Sequence, residues 1–165
     1  MNSGLVIIRL VLGLVMAAHG AQKLFGWFGG PGLAGASAGF EAMGFRPGKF
    51  FATIASLTET ASGLLVAAGF LGPVGPALMV SVMIVAGSVH WPQGLFAQKN
   101  GYEVPLLYAA GAATLALTGF GRYSLDALLG LGSLWSPAVA VIALAIGIAG
   151  GLGNLALRRT APAQA

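Results

Sequence analysis

Five stretches of this chain, residues 4–25, 50–71, 74–91, 103–120 and 136–157, are each apolar and long enough to cross a hydrocarbon layer of roughly 30 Å. Backbone N–H and C=O groups inside such a layer find no water, so each stretch must satisfy its hydrogen bonds internally and is expected to be an α-helix. Charge points the same way. Only 7% of the 165 residues are charged and the mean hydropathy is +0.88, whereas a soluble domain carries about a quarter charged residues to wet its surface. The expected fold is an all-α transmembrane helix bundle, and a soluble globular domain is excluded.

The first stretch could be mistaken for a cleaved secretory leader, because small residues follow at Ala17 and Ala18. A leader carries basic residues ahead of its apolar core; here none precedes the run and Arg9 lies within it, so a retained first helix is expected. GPVGP at 72–76 predicts a tight turn and an antiparallel hairpin. Residues 26–49, with Trp27, Phe28 and a GGPG turn, are read as a long loop, with Pro47 suited to the start of the next helix. In GRYSLDALLG, Ser124 is placed to cap a short interfacial helix. Small residues such as Ser56, Thr60 and Gly63, or Gly147 and Gly151, are read as close helix-packing positions.

With five spans, loops one and three share one face, designated Y, which carries Lys23, Arg46, Lys49, Lys99, Arg158 and Arg159. The opposite face, X, has Arg122, plus Arg9 if that side chain snorkels outward. Positive residues mark the cytoplasmic side, so the N-terminus is expected outside and the C-terminus in the cytoplasm. The formal charge of +4 therefore reports topology. No basic run longer than Arg158–Arg159 is present, which argues against nucleic acid as a partner. Cysteine is absent, which removes thiolate catalysis and cluster ligation by this chain. Any redox chemistry needs a bound cofactor or a partner. No metal site is expected.

Ionisable groups within a span are costly and are read first as functional. On the first helix Arg9, His19 and Lys23 fall within about 80° of one another at 100° per residue, with Gln22 one turn from His19. Glu59 lies about three turns into the second span, where a carboxylate has to be paired or protonated; Lys23, His19 and Arg9 are its candidate partners. His90 ends the third span and Tyr102 and Glu103 open the fourth. Antiparallel packing then collects His19, Gln22, Lys23, Glu59, His90, Tyr102 and Glu103 at the face-Y end of four helices. Within this cluster Glu59, His19 and Lys23 are the candidate proton relay, and Gln22, His90, Tyr102 and Glu103 the candidate substrate-binding groups. Arg122 and Asp126, four residues apart, are read as a structural pair.

The segments RLVLGLVMAAHGAQKLFGWFGGPG, LTETASGLLVAAGFL, HWPQGLFAQKNGYEVPLLY and LTGFGRYSLDALL resemble those of the DoxX family, in consistent order from residue 9 to about 130. The motif-like positions are His19, Gln22, Lys23, Gly26, Glu59, His90, Gly101, Tyr102, Glu103, Arg122 and Asp126. The resemblance implies a four-helix DoxX-type bundle over 1–130 in a bacterial inner membrane; residues 131–165, read as an extra C-terminal transmembrane helix and short basic tail, depart from it. The family takes its name from a small subunit of a thiosulfate:quinone oxidoreductase, so the resemblance also implies a loose link to respiratory redox chemistry. The leading functional expectation is a quinone-interacting subunit or partner of a membrane oxidoreductase, working with a soluble or membrane redox protein. A small transporter and a non-catalytic membrane scaffold are the alternatives. A bis-histidine haem between His19 and His90 is disfavoured, since two histidines are a weak signal. The lipid bilayer is the one certain surrounding, and a homo-oligomer is left open.

Overall fold

The computed structural model describes residues 2–159; the last residues of the expected tail lie outside them. Among the described residues there are seven α-helices: α1 (Asn2–Phe25), α2 (Gly32–Ala42), α3 (Gly48–Ala68), α4 (Val74–His90), α5 (Glu103–Thr118), α6 (Leu125–Leu128) and α7 (Pro137–Ala156). Short 3-10 turns punctuate the connections, and there is no strand among the described residues. The all-α transmembrane bundle expected from hydropathy is what the chain forms.

Among the described residues four helices, Asn2–Phe25, Gly48–Ala68, Val74–Gln93 and Pro137–Ala156, are long and apolar enough to cross a membrane. The span expected at 103–120 is shorter. As α5 it starts at Glu103 as expected but holds only 16 residues, about 24 Å of helix, because Gly119, at a φ of 75°, ends it after Thr118. The long loop expected at 26–49 also needs correcting, since it contains α2. That helix, GLAGASAGFEA, is rich in small residues with no strong apolar period, so packing against α3 rather than patterning holds it. Glu41 Oε2 accepts a hydrogen bond from Gly48 N at 2.7 Å, which satisfies one open amide at the start of α3. Phe45, fully buried, packs between Phe40 and Phe51 with its ring tilted against both.

Helices α1 and α3 are antiparallel and their backbones nearly touch. A Cβ added at Gly13 would meet Ala67 N at 2.5 Å, and one at Gly20 would meet Ser56 O at 2.6 Å. Only glycine permits this approach, which extends the small-residue packing expected around Ser56, Thr60 and Gly63. Helix α7 uses the same device against α4, where a Cβ at Gly151 would lie 2.8 Å from Ser81 O. The middle of the bundle is filled by Met16, Val66, Met79, Val80, Val82, Met83, Ala112, Leu115 and Phe120. Ile7, Val11, Leu14, Leu64, Leu107, Ile142 and Ile146 are exposed on the outside, the surface a bilayer would cover.

Face X is closed by a polar knot. Arg9 does not snorkel outward; it is 3% exposed and turns into the bundle. Its Nη1 donates to Phe120 O at 2.8 Å, and its Nη2 donates to Tyr123 O at 2.9 Å and Ala67 O at 3.3 Å. One guanidinium thus serves a carbonyl in the last turn of α3 and two in the segment that follows α5.

The structure does not pair Arg122 with Asp126. Both oxygens of the buried Asp126 accept from the α3–α4 turn, Oδ1 from Leu71 N at 3.0 Å and Oδ2 from Gly72 N at 2.7 Å. Leu71 has a φ of 60°, a left-handed conformation unfavourable for leucine, and the carboxylate stabilises the turn that requires it. Arg122 instead lies over the Tyr123 ring, 4.8 Å from its centroid. Ser124 caps α6 as expected, accepting from Ala127 N at 3.2 Å.

Candidate functional site

At face Y the end of α1, the interior of α3, the end of α4 and the start of α5 converge on a cavity of about 280 Å³. His19, Lys23, Glu59 and His90 line it, with Tyr108 and Asn100 completing its polar wall and Met16, Met83, Val104 and Pro105 its apolar one. The cluster arises from register. The close α1–α3 contact puts the last turns of α1 beside the middle of α3, so Glu59, roughly 16 Å along α3 from Gly48, meets residues near the end of α1.

The centre of the site is an ion pair. Lys23 Nζ lies 2.7 Å from Glu59 Oε1 and 2.5 Å from Oε2. The carboxylate side chain is 5% exposed and the lysine 28%, so the lysine stem spans from the rim inward and carries its charge to the buried partner. Of the three candidate partners, Lys23 takes Glu59. His19 lies across the cavity edge-on to Tyr108, 6.3 Å between ring centroids. Arg9 is engaged at the other end of the bundle.

His90 is held by the segment that follows it. Its Nδ1 lies 2.8 Å from Asn100 O; a carbonyl can only accept, so Nδ1 carries the proton and Nε2 of the neutral ring is an acceptor. Asn100 can present its carbonyl there because it adopts a left-handed conformation, φ 59°, which asparagine tolerates better than most residues. Together the cavity offers an ammonium, a carboxylate, two imidazoles and a phenol beside an apolar wall.

Three of the expected binding residues do other work. Gln22 reaches back to Phe28 O at 3.4 Å and packs under Gly30, bracing the turn that ends α1. Tyr102 stacks on Trp91, 4.7 Å between centroids at an angle of 19°. Glu103 Oε2 accepts from Ala97 N at 2.8 Å, folding the 91–102 segment over the end of α4. Tyr102 and Glu103 therefore shape the rim, and neither lines the cavity.

Tyr108 and Asn100 escaped the sequence reading. The clue to Tyr108 was the single polar ring within the apolar run EVPLLYAAG, one helical turn from Val104 on the same face. Asn100 had only the Asn-Gly pair at 100–101, a turn signal with no functional content of its own.

A second cavity, of about 170 Å³, lies between α2, α3 and α4, and it shares Lys23, Glu59, Ala86 and His90 with the first. The ion pair thus stands as a partition between two spaces. Below it Met16, Met79 and Leu115, each almost fully buried, fill the bundle axis.

Comparison with known families places a match to the DoxX family over residues 4–91. The match covers more than half of the chain and takes in α1 to α4, with His19, Lys23, Glu59 and His90 inside it, and ends before α5. Among curated proteins and among solved structures, nothing matches the chain.

Proposed function

The chain belongs to the DoxX family, and from that premise we propose that it binds the head group of a quinone-type molecule at the face-Y cavity, as a membrane component of an oxidoreductase system. The observation that carries this reading is the buried Lys23–Glu59 pair opening onto a cavity with His19, His90 and Tyr108 on its walls. A quinone ring needs an apolar slot and hydrogen-bond donors for two oxygens placed across it. Met16, Met83 and Pro105 supply the first; Lys23 Nζ, the Tyr108 hydroxyl and the His19 imidazole supply the second.

Quinone reduction takes up two protons. Glu59 and Lys23 form a pair in which a proton can move between Nζ and a carboxylate oxygen without leaving the site, and His90 Nε2 can accept one from the rim. Groups placed this way suit general acid–base work. With no cysteine in the chain, thiol and cluster routes for electrons belong to a partner protein. In this reading the protein sits in a bacterial inner membrane with face Y cytoplasmic, as the lysines and arginines gathered there favour.

Transport is the weaker reading. A permease pathway carries polar groups along its length, and here Met16, Met79 and Leu115 block the axis below the ion pair.

The test is a thermal-stability titration of the purified protein with ubiquinone and menaquinone analogues. A rise in Tm that Glu59→Gln abolishes supports the proposal, and the absence of a shift with every quinone tried removes it. Substrate-dependent flux in proteoliposomes containing this chain alone would favour the transporter instead.

A further inference from the structure

The face-Y cavity holds about 280 Å³, at the small end of the range for ligand sites. It accommodates a ring and its substituents but leaves no room for a long apolar chain. On the outer side of the same two helices, α4 and α5, runs a groove of about 580 Å³ whose walls are Ile84, Gly87, Trp91, Leu106 and Ala109, with Met83 and Pro105 common to both spaces. Met83 and Pro105 therefore form the wall between cavity and groove.

Gly87 lies at the seam. A Cβ added there would touch only Pro105 Cβ, at 3.7 Å, so the glycine leaves open space beside the shared wall. Unlike Gly13 or Gly20, no close backbone approach demands glycine at this position. A glycine inside a helix is less favourable than alanine, and here packing does not account for it. Towards the rim the groove ends at Trp91 stacked on Tyr102, an aromatic pair suited to the membrane–water boundary.

We infer that the α4–α5 groove is a lateral, lipid-side subsite that holds the apolar chain of the ligand whose head group occupies the face-Y cavity. This rests on the head-group reading above and adds the route: the ligand enters sideways from the bilayer past Gly87, Met83 and Pro105. The groove adjoins the cavity across Met83 and Pro105 alone, and this selects a ligand that reaches both spaces over a protein helix, which would cover the groove without reaching the cavity.

The experiment compares two probes on the full chain in phosphatidylcholine nanodiscs: 2,3-dimethoxy-5-methyl-1,4-benzoquinone without a chain, and the same ring bearing a decyl chain. Dissociation constants are taken for the wild type, Gly87→Leu and Leu106→Ser; the ratio of variant to wild type for one probe cancels its partitioning into lipid. Displacing a few methylenes from the groove should weaken the decyl probe about tenfold in Gly87→Leu. The chain-free ring should stay within about twofold, because the hydrophobic loss scales with chain area removed. Leu106 is half exposed, so Leu106→Ser folds even if Gly87→Leu does not, and it should weaken the decyl probe selectively too. Unchanged decyl binding in both variants would show a groove filled by membrane lipid alone and overturn the inference while sparing the head-group site. Equal weakening of both probes would also overturn it. Failure of the chain-free ring to bind the wild type would overturn the head-group reading and this one with it.

Discussion

Lys23 on α1 and Glu59 on α3 form a two-oxygen ion pair, 2.7 and 2.5 Å, with the carboxylate almost wholly removed from solvent. An ion pair of this kind constrains the helices that carry it, because either partner alone would be an uncompensated charge in a low-dielectric setting.

Removing the lysine should therefore cost more than removing both charges. Lys23→Met is expected to destabilise the protein by about 3 kcal/mol, the lower end for breaking a buried pair. Lys23→Met combined with Glu59→Gln should recover most of that loss. Thermal unfolding of the four proteins in one detergent forms a double-mutant cycle, and additive effects would show that the pair is not coupled.

Glycines divide into those that the packing requires and those that it does not. Gly151→Ala places a methyl 2.8 Å from Ser81 O and should cost about 1–3 kcal/mol as overpacking. Gly153→Ala, two residues on in α7, meets nothing within 4 Å and should be neutral or stabilise by up to about 1 kcal/mol. The difference in apparent Tm between the two variants measures how firmly α7 seats on α4.

Asp126 and Arg122 should behave differently. Asp126→Ala frees two turn amides from a charged acceptor, and hydrogen bonds to charged groups contribute roughly 1.5–3 kcal/mol each. Destabilisation should come with faster proteolysis in the α3–α4 turn. Arg122→Ala loses an exposed contact with Tyr123 worth about 0.5–1 kcal/mol. Comparable effects of the two would mean that they act as a pair after all.

If the cavity binds a head group, Tyr108→Phe removes one hydroxyl from its wall and little else. A single hydrogen bond contributes about 1 kcal/mol, so affinity for a chain-free quinone should fall roughly fivefold with Tm of the free protein unchanged. Tyr102→Phe keeps the ring that stacks on Trp91 and should leave affinity as it is.

Much of this was legible beforehand, and the reasons are particular. The apolar lengths announce α1, α3, α4 and α7, because a bilayer leaves a chain no other way to satisfy its backbone. Antiparallel alternation then brings His19, Lys23, Glu59 and His90 to one end. What escaped depended on partners distant in the chain. α2 has no strong apolar period and exists by leaning on α3; Asn100 matters only because His90 reaches its carbonyl.

Hydropathy and order along the chain thus decide which segments cross the membrane and which end collects the polar residues. They cannot decide among neighbours that share an end. Glu59 had three candidate partners, and the glycine-paved contact at Gly13, Gly20 and Gly63 set the helix register that gave it Lys23. The same tertiary packing turned Arg9 inward to the carbonyls of Ala67, Phe120 and Tyr123 and drew Asp126 away from Arg122 to the amides of Leu71 and Gly72. The physical reason is one of scale. Burial in lipid acts on whole segments and follows from composition, whereas a hydrogen bond is decided over a few tenths of an ångström, which only packed backbones set.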